Sequence, residues 1–228
     1  MKKQLLFSVL CLGFSALASQ IVFIREFLIA FSGDELSIGI ILAGWMFGGA
    51  IGSLFLKGIA DKLKQKSLTF ALLQIFLSLL LAPGILLIRF IRPVLGVNPG
   101  QILPFYILVI FCFLILIPLC SILSFMFVLS CRIYPVRSGA PRRGTSNGVY
   151  ETKDRASGIS RVYAVEALGS MLGGTIASLI LIRFFNSFEI MTMLSLLNAI
   201  AAFIFIETPR RKIVRLAAVL IMLLSAFL

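Results

Sequence analysis

The chain has 228 residues, 60% of them hydrophobic, and a formal net charge of +12. Soluble domains hold about 45–50% apolar residues, so this composition, with a mean hydropathy of +1.10, excludes an ordinary soluble domain and indicates a protein of the bilayer. The positive charge does not point to nucleic acid, because the basic residues lie between apolar blocks and the inner loop that holds many of them is poor in aromatic residues; the partner implied is the lipid bilayer.

The N-terminus opens as a secretory leader does, with Lys2 and Lys3, an apolar run from Leu5 and an A-x-A site at Ala16-Leu17-Ala18. The apolar run continues from Ile21 to Phe31, which favours an uncleaved first span. A hydrocarbon core takes about 20 helical residues. On that measure spans are expected at about 5–24, 37–56, 68–88, 104–130, 163–182 and 190–206. A seventh, 213–228, carries Arg215 and stops with the chain, so it reads as cut within its crossing. The expected fold is all-α, a polytopic transmembrane helix bundle of six or seven spans in one domain.

Orientation follows from the basic residues. With the N-terminus in the cytoplasm, all of the 21 lysines and arginines except Arg25, Arg89, Arg92 and Arg183 fall on inner segments. That bias predicts a multi-pass protein of the inner (plasma) membrane with its N-terminus inside.

The connections differ in kind. Ser32-Gly33-Asp34-Glu35 is expected to be a tight outer turn, with Asp34 or Glu35 at the start of the second span. Arg89 to Gln101, with two prolines and two glycines, reads as an irregular outer loop. Residues 132–160 read as a cytoplasmic loop, mobile over Ser138–Gly148. Pro118 should kink or break the fourth span.

Small residues mark two spans. Gly44, Gly48 and Gly52 form a double G-x-x-x-G in the second, and Gly169, Gly173 and Gly174 a related set in the fifth. Such faces let another backbone approach closely, and the two sets are expected to be mates. They sit at the middle of successive three-helix groups running in opposite senses. This fits an inverted three-plus-three repeat resembling half of a major-facilitator fold.

Polar residues within the spans are the candidate sites. Arg25 and Glu26 are neighbours on a helix and cannot face each other; Glu189 and Arg183, at the same outer level, are the expected partners. Glu166 shares a helix face with Tyr163 and Ser170, while Leu168, Leu172, Thr175 and Leu179 form the opposite, lipid-directed face. It is placed about one turn inside the inner boundary, near Lys57, Arg161 or Lys62. Two readings stand, a structural ion pair and a cavity-facing group whose polar pocket Tyr163 and Ser170 complete. The inner turn Lys57–Lys66 carries the acid–base pair Asp61-Lys62 that major-facilitator proteins show here, but Gly58 is one residue too close and the second glycine is missing. A solvated, positive-inside turn is the simpler reading of it.

Nothing catalytic is visible. There is no histidine, and Cys11, Cys112, Cys120 and Cys131 show no C-x-x-C or Cys/His spacing, so neither metal nor other cofactor is expected. Gly173-Gly174-Thr175 is no phosphate loop, since no lysine follows it.

Two stretches carry a resemblance. Gln20 to Trp45 contains Arg25-Glu26-Phe27 and Gly33-Asp34-Glu35-Leu36 and runs on to Gly52-Ser53; Ser157 to Gly174 contains Tyr163, Glu166-Ala167, Gly169-Ser170 and Gly173-Gly174. In order and spacing they resemble the membrane domain of bacterial spermidine synthase-like multi-pass proteins. There an R-E-L, G-N-E-L, W, G-S series precedes a Y-x-x-E-A-x-G-S-x-x-G-G span. Phe27 replaces the usual leucine and Asp34 the usual asparagine. Longer members of that family add a soluble aminopropyltransferase-like domain, whose glycine-rich nucleotide site and acidic residues are not in this sequence. The resemblance thus implies a membrane part that anchors, or presents substrate to, a synthase-like soluble domain or another membrane subunit. The alternatives are a transporter-like protein moving a small cationic solute, with Glu26 or Glu166 as its contact, and an assembly scaffold using the glycine faces.

Overall fold

In the computed structural model of the chain, residues 2–31, 33, 35–96, 104–134 and 147–205 are described. The helices are α1 Lys2–Phe31, α2 Glu35–Leu54, the short α3 Lys57–Lys62, α4 Lys66–Val94, α5 Phe105–Ile133, α6 Asn147–Ile176, α7 Ile182–Phe184 and α8 Ser187–Phe205, with a π turn at Ala177–Leu181 between α6 and α7. Six stretches are long and apolar enough to cross a bilayer: α1, α2 with α3, α4, α5, Ala156–Phe184 and α8. The molecule is a multi-pass membrane protein. The seventh expected span lies outside the described residues.

Local sequence explains the boundaries. Gly33 turns the chain between α1 and α2 at φ +68°, a left-handed conformation that glycine adopts without strain. Pro104 stands before α5 with an extended backbone, consistent with proline's fixed φ at a helix start. At the start of α8, Glu189 accepts the Asn186 backbone N–H at 2.8 Å, half of a capping box.

Three expectations need correction. Arg89 is not in a loop, because α4 continues to Val94, and α6 begins at Asn147, inside the expected 132–160 loop. Hydropathy windows end where charge begins, whereas a helix continues as long as its backbone bonds are satisfied. Of the kink or break expected at Pro118 the break does not occur, since α5 runs as one helix through it; a proline removes one backbone bond, which the neighbouring turns tolerate in a bundle.

The glycine faces are not each other's mates. A Cβ on Gly169 or Gly173 would collide with the carbonyl oxygens of Leu10 and Phe14 on α1. A Cβ on Gly48 would stand 2.8 Å from Cys120 Cβ and 3.1 Å from the Ile117 carbonyl oxygen, and one on Gly52 would strike the backbone of Ser121, all on α5. So α6 runs parallel to α1, and α2 parallel to α5, at backbone contact. Glycine faces accept any smooth backbone, and α1 and α5 offer theirs at Gly13 and Cys120.

These two pairs are the same arrangement turned over. Leu10 and Phe14 stand to Gly169 and Gly173 as Ile117 and Ser121 stand to Gly48 and Gly52. The same shifts in residue number carry Arg25 onto Arg132 and Ile182 onto Asp61. Arg25 donates to the Ile182 carbonyl at 3.4 Å, and Arg132 pairs in bidentate fashion with Asp61. Between α4 and α8, Ser78 Oγ donates to the Ser195 carbonyl and Ser195 Oγ to the Ser78 carbonyl, each at 2.6 Å, a reciprocal contact of antiparallel helices. These matched contacts fit an internal two-fold relating α1, α2 and α4 to α5, α6 and α8, with its axis between these serines. The likeness is incomplete, since α1 packs on α4 without an equally extensive counterpart between α5 and α8.

Candidate functional site

Between the α1·α6 pair and the α2·α5 pair lies a cleft of ≈ 270 Å³. Its walls carry Trp45, Ser53, Ser124, Phe127, Tyr163 and Glu166. The parallel pairing fixes where it lies. Most of these residues come from the later turns of α2 and α5 and the earlier turns of the α6 span, in the half of the bundle that holds Lys62 and Arg132, while Trp45 stands at the middle of α2. That half is here called the basic end, and the half with the Gly33 turn the far end.

Glu166 is half-buried, and Ser170 Oγ, one turn on, lies 3.2 Å from its Oε1 and 3.2 Å from the Gly13 carbonyl oxygen. One hydroxyl proton serves these two acceptors in turn. Among the described residues no cation forms an ion pair with Glu166. Glu166 stands five residues, about 7.5 Å of helix, beyond Arg161. Tyr163 is largely exposed, and its ring meets Phe127 edge-on at 6.3 Å between centroids and 75° between planes. Tyr163, Glu166 and Ser170 therefore do share one region, as their common helix face predicts.

Arg25 and Glu26 belong elsewhere. Glu26 is 4% exposed and takes two hydrogen bonds from Arg89, Nε to Oε2 at 2.9 Å and Nη2 to Oε1 at 3.1 Å. The expected partners are wrong for both residues. Arg183 stacks on Phe184 and Glu189 caps α8, while Arg89 reaches Glu26 because α4 stays helical past the expected end of its span. Arg25 instead donates to the carbonyl of Ile182, next to the π turn, where helical bonding is disturbed. Arg92 Nε donates to the Ala30 carbonyl at 2.7 Å. This far-end arginine group ties α1 to α4 and α7 and is structural. At the basic end Asp61 is paired with Arg132 across the bundle rather than with its neighbour Lys62, since adjacent helical residues point apart.

The helix-packing glycines hold the walls. Gly48, Gly52, Gly169 and Gly173 are all occupied within the chain, while Gly44 makes ordinary contact with Leu116 and Phe113, and Gly174 receives Leu17.

One polar group escaped the sequence reading. Asn198, on α8, donates to Ser15 Oγ on α1 at 2.7 Å and to the Leu194 carbonyl at 2.8 Å, close to the Ser78–Ser195 contact. Gln74, one turn from Ser78, is fully buried with both amide atoms unpaired. The signal was there: neutral polar residues inside apolar spans, one turn apart on α4 and on α8. A second cavity, ≈ 140 Å³ and bordered by Phe23, Pro83, Gly84, Phe111 and Pro118, offers no titratable group. Among the described residues no His, Cys, Asp and Glu group could hold a metal ion.

Compared with protein-family models, curated proteins and solved structures, the chain gives no match.

Proposed function

We propose that this chain is the membrane domain of a spermidine synthase-like protein and that it holds a small cationic solute in the cleft, against Glu166. The observation that carries the reading is a carboxylate within a span, with no ion-pair partner among the described residues, lining a cleft together with Trp45. An ionisable group within a span is costly unless it is paired or hydrated, so its place in a cleft favours a ligand-binding role. Aromatic walls suit a cation, since a ring face attracts positive charge. The volume is just under the common range of about 300–1,000 Å³ for ligand pockets, which limits the solute to a small one. The lysine and arginine distribution supports a plasma-membrane protein with its N-terminus in the cytoplasm. In that orientation the cleft lies in the cytoplasmic half, where a soluble synthase-like domain would draw on it. The scaffold reading is the weaker one, because the closest glycine contacts are made inside the chain.

The test is equilibrium binding of a labelled diamine or triamine to the purified chain in lipid nanodiscs. Glu166→Gln should abolish binding and Glu166→Asp should keep part of it, both with unchanged melting temperature. Equal binding by the wild-type chain and Glu166→Gln would overturn the reading.

A further inference from the structure

The internal two-fold says more about the cleft than its lining does. Each wall is a parallel helix pair closed by glycine-to-backbone contacts and tied at one end by an arginine, Arg25 to Ile182 in one pair and Arg132 to Asp61 in the other. Backbone-to-backbone contact of this kind leaves little room for sliding within a pair. Between the pairs the packing is looser, with the cleft on one side of the two-fold and the Phe127–Tyr163 edge contact at its mouth. The two pairs are therefore the rigid parts, and the seam between them is where movement is easiest.

The shifts that map one pair onto the other also map the cleft. Glu166 exchanges with Trp45, and Ala16 with Leu123, and all four already line the cleft, so they sit about the two-fold itself. Most of the remaining lining maps to new places towards the far end. Phe127 maps to Gln20, Ser124 to Leu17, Tyr163 to Leu42 and Ser53 to Gly174. There Leu17 packs onto Gly174, so the far-end counterpart is filled.

We infer that the α1·α6 and α2·α5 pairs rock against each other about this two-fold, closing the basic-end cleft and opening its far-end counterpart, so that Glu166 and Trp45 face the two sides of the membrane in turn. The activity this assigns is translocation of the bound cation rather than its presentation on one side. It rests on the proposed cation site for its cargo, but not for the motion itself. The two arrangements have the same helix pairings, so neither rigid pair has to be rebuilt in passing between them.

Single cysteines test it, in the full chain with Cys11, Cys112, Cys120 and Cys131 replaced by alanine and reconstituted in sealed liposomes of phosphatidylcholine and phosphatidylglycerol. Ser124→Cys should react with a membrane-impermeant maleimide from the basic side, and Gln20→Cys and Leu42→Cys from the far side. Gly49→Phe places a ring in the cleft and props it open. It should lower far-side labelling of both positions several-fold and leave Ser124→Cys reactive; Ser53→Phe is the second wedge should Gly49→Phe not fold. Far-side positions that never react, or that react equally with and without the wedge, overturn the inference. No solute is present in this assay, so the two proposals fail separately. Cation binding without wedge-sensitive labelling leaves a one-sided binding domain, and wedge-sensitive labelling without cation binding leaves a moving bundle whose cargo is not a cation.

Discussion

The α1·α6 and α2·α5 pairs share one backbone plan and differ in the chemistry hung on it. In both, two glycines a helical turn apart meet two carbonyls a turn apart on the partner. Yet one pair sets a carboxylate, Glu166, where the other sets the indole of Trp45, and one ends on a main-chain carbonyl where the other ends on Asp61. Glu26, bonded to Arg89, has Ile133 as its counterpart on α5 and no equivalent there. Packing is what the two halves have in common, and charge is what separates them. Backbone contacts specify the architecture twice, which leaves individual side chains free to make the site lopsided.

The comparison can be broken most severely at the glycines. Gly173→Leu and Gly52→Leu should each cost at least about 3 kcal/mol, the upper end of ordinary overpacking, because the added atoms meet backbone, which cannot turn aside as a side chain can. Thermal denaturation in detergent should show losses of similar size for the two. A large loss for one and a negligible one for the other would mean that the pairs are not equivalent.

Next in size is Glu26→Ala, which strands Arg89. Removing one partner of a fully buried ion pair costs about 3–5 kcal/mol. The loss here should fall below that, since half of the Arg89 side chain is exposed. The counterpart substitution Ile133→Ala, at a half-buried position, should cost less.

The axis itself gives a smaller effect. Ser78→Ala and Ser195→Ala each remove one donor of the reciprocal contact and should cost about 1 kcal/mol apiece. The double substitution should cost less than the two losses together, because the second serine has already lost part of what it bonded. Strict additivity by denaturant titration would count against a reciprocal contact.

The smallest difference is at the helix ends. Arg132→Ala loses a bidentate but exposed pair, worth less than about 1 kcal/mol, and Arg25→Ala loses one longer bond to a carbonyl. Both should be nearly silent in melting temperature, with the Arg132 effect the more salt-sensitive of the two.

Much of this could be read in advance, and the limits are instructive. Tyr163, Glu166 and Ser170 could be grouped because helical spacing alone places them on one face, and the lipid-directed Leu168, Leu172, Thr175 and Leu179 are exposed, as that spacing requires. Trp45 and Phe127 could not be joined to Glu166, since they come from helices whose adjacency no local pattern records. Proline and glycine after Arg89 signal a loop locally, whereas α4 carries the helix on to Val94.

The sequence by itself determined that the chain is a bundle of membrane-crossing helices, where most of the crossings lie, and which faces are small. Those properties depend on the transfer of one segment at a time into hydrocarbon, a sum over neighbouring residues. Only the tertiary structure decided which glycine face meets which backbone, that Glu26 belongs to Arg89, and that Glu166 faces Trp45 across a cleft. Small residues fit against many surfaces nearly equally well, so the choice among partners is made by all six crossings packing at once, and no single segment contains it.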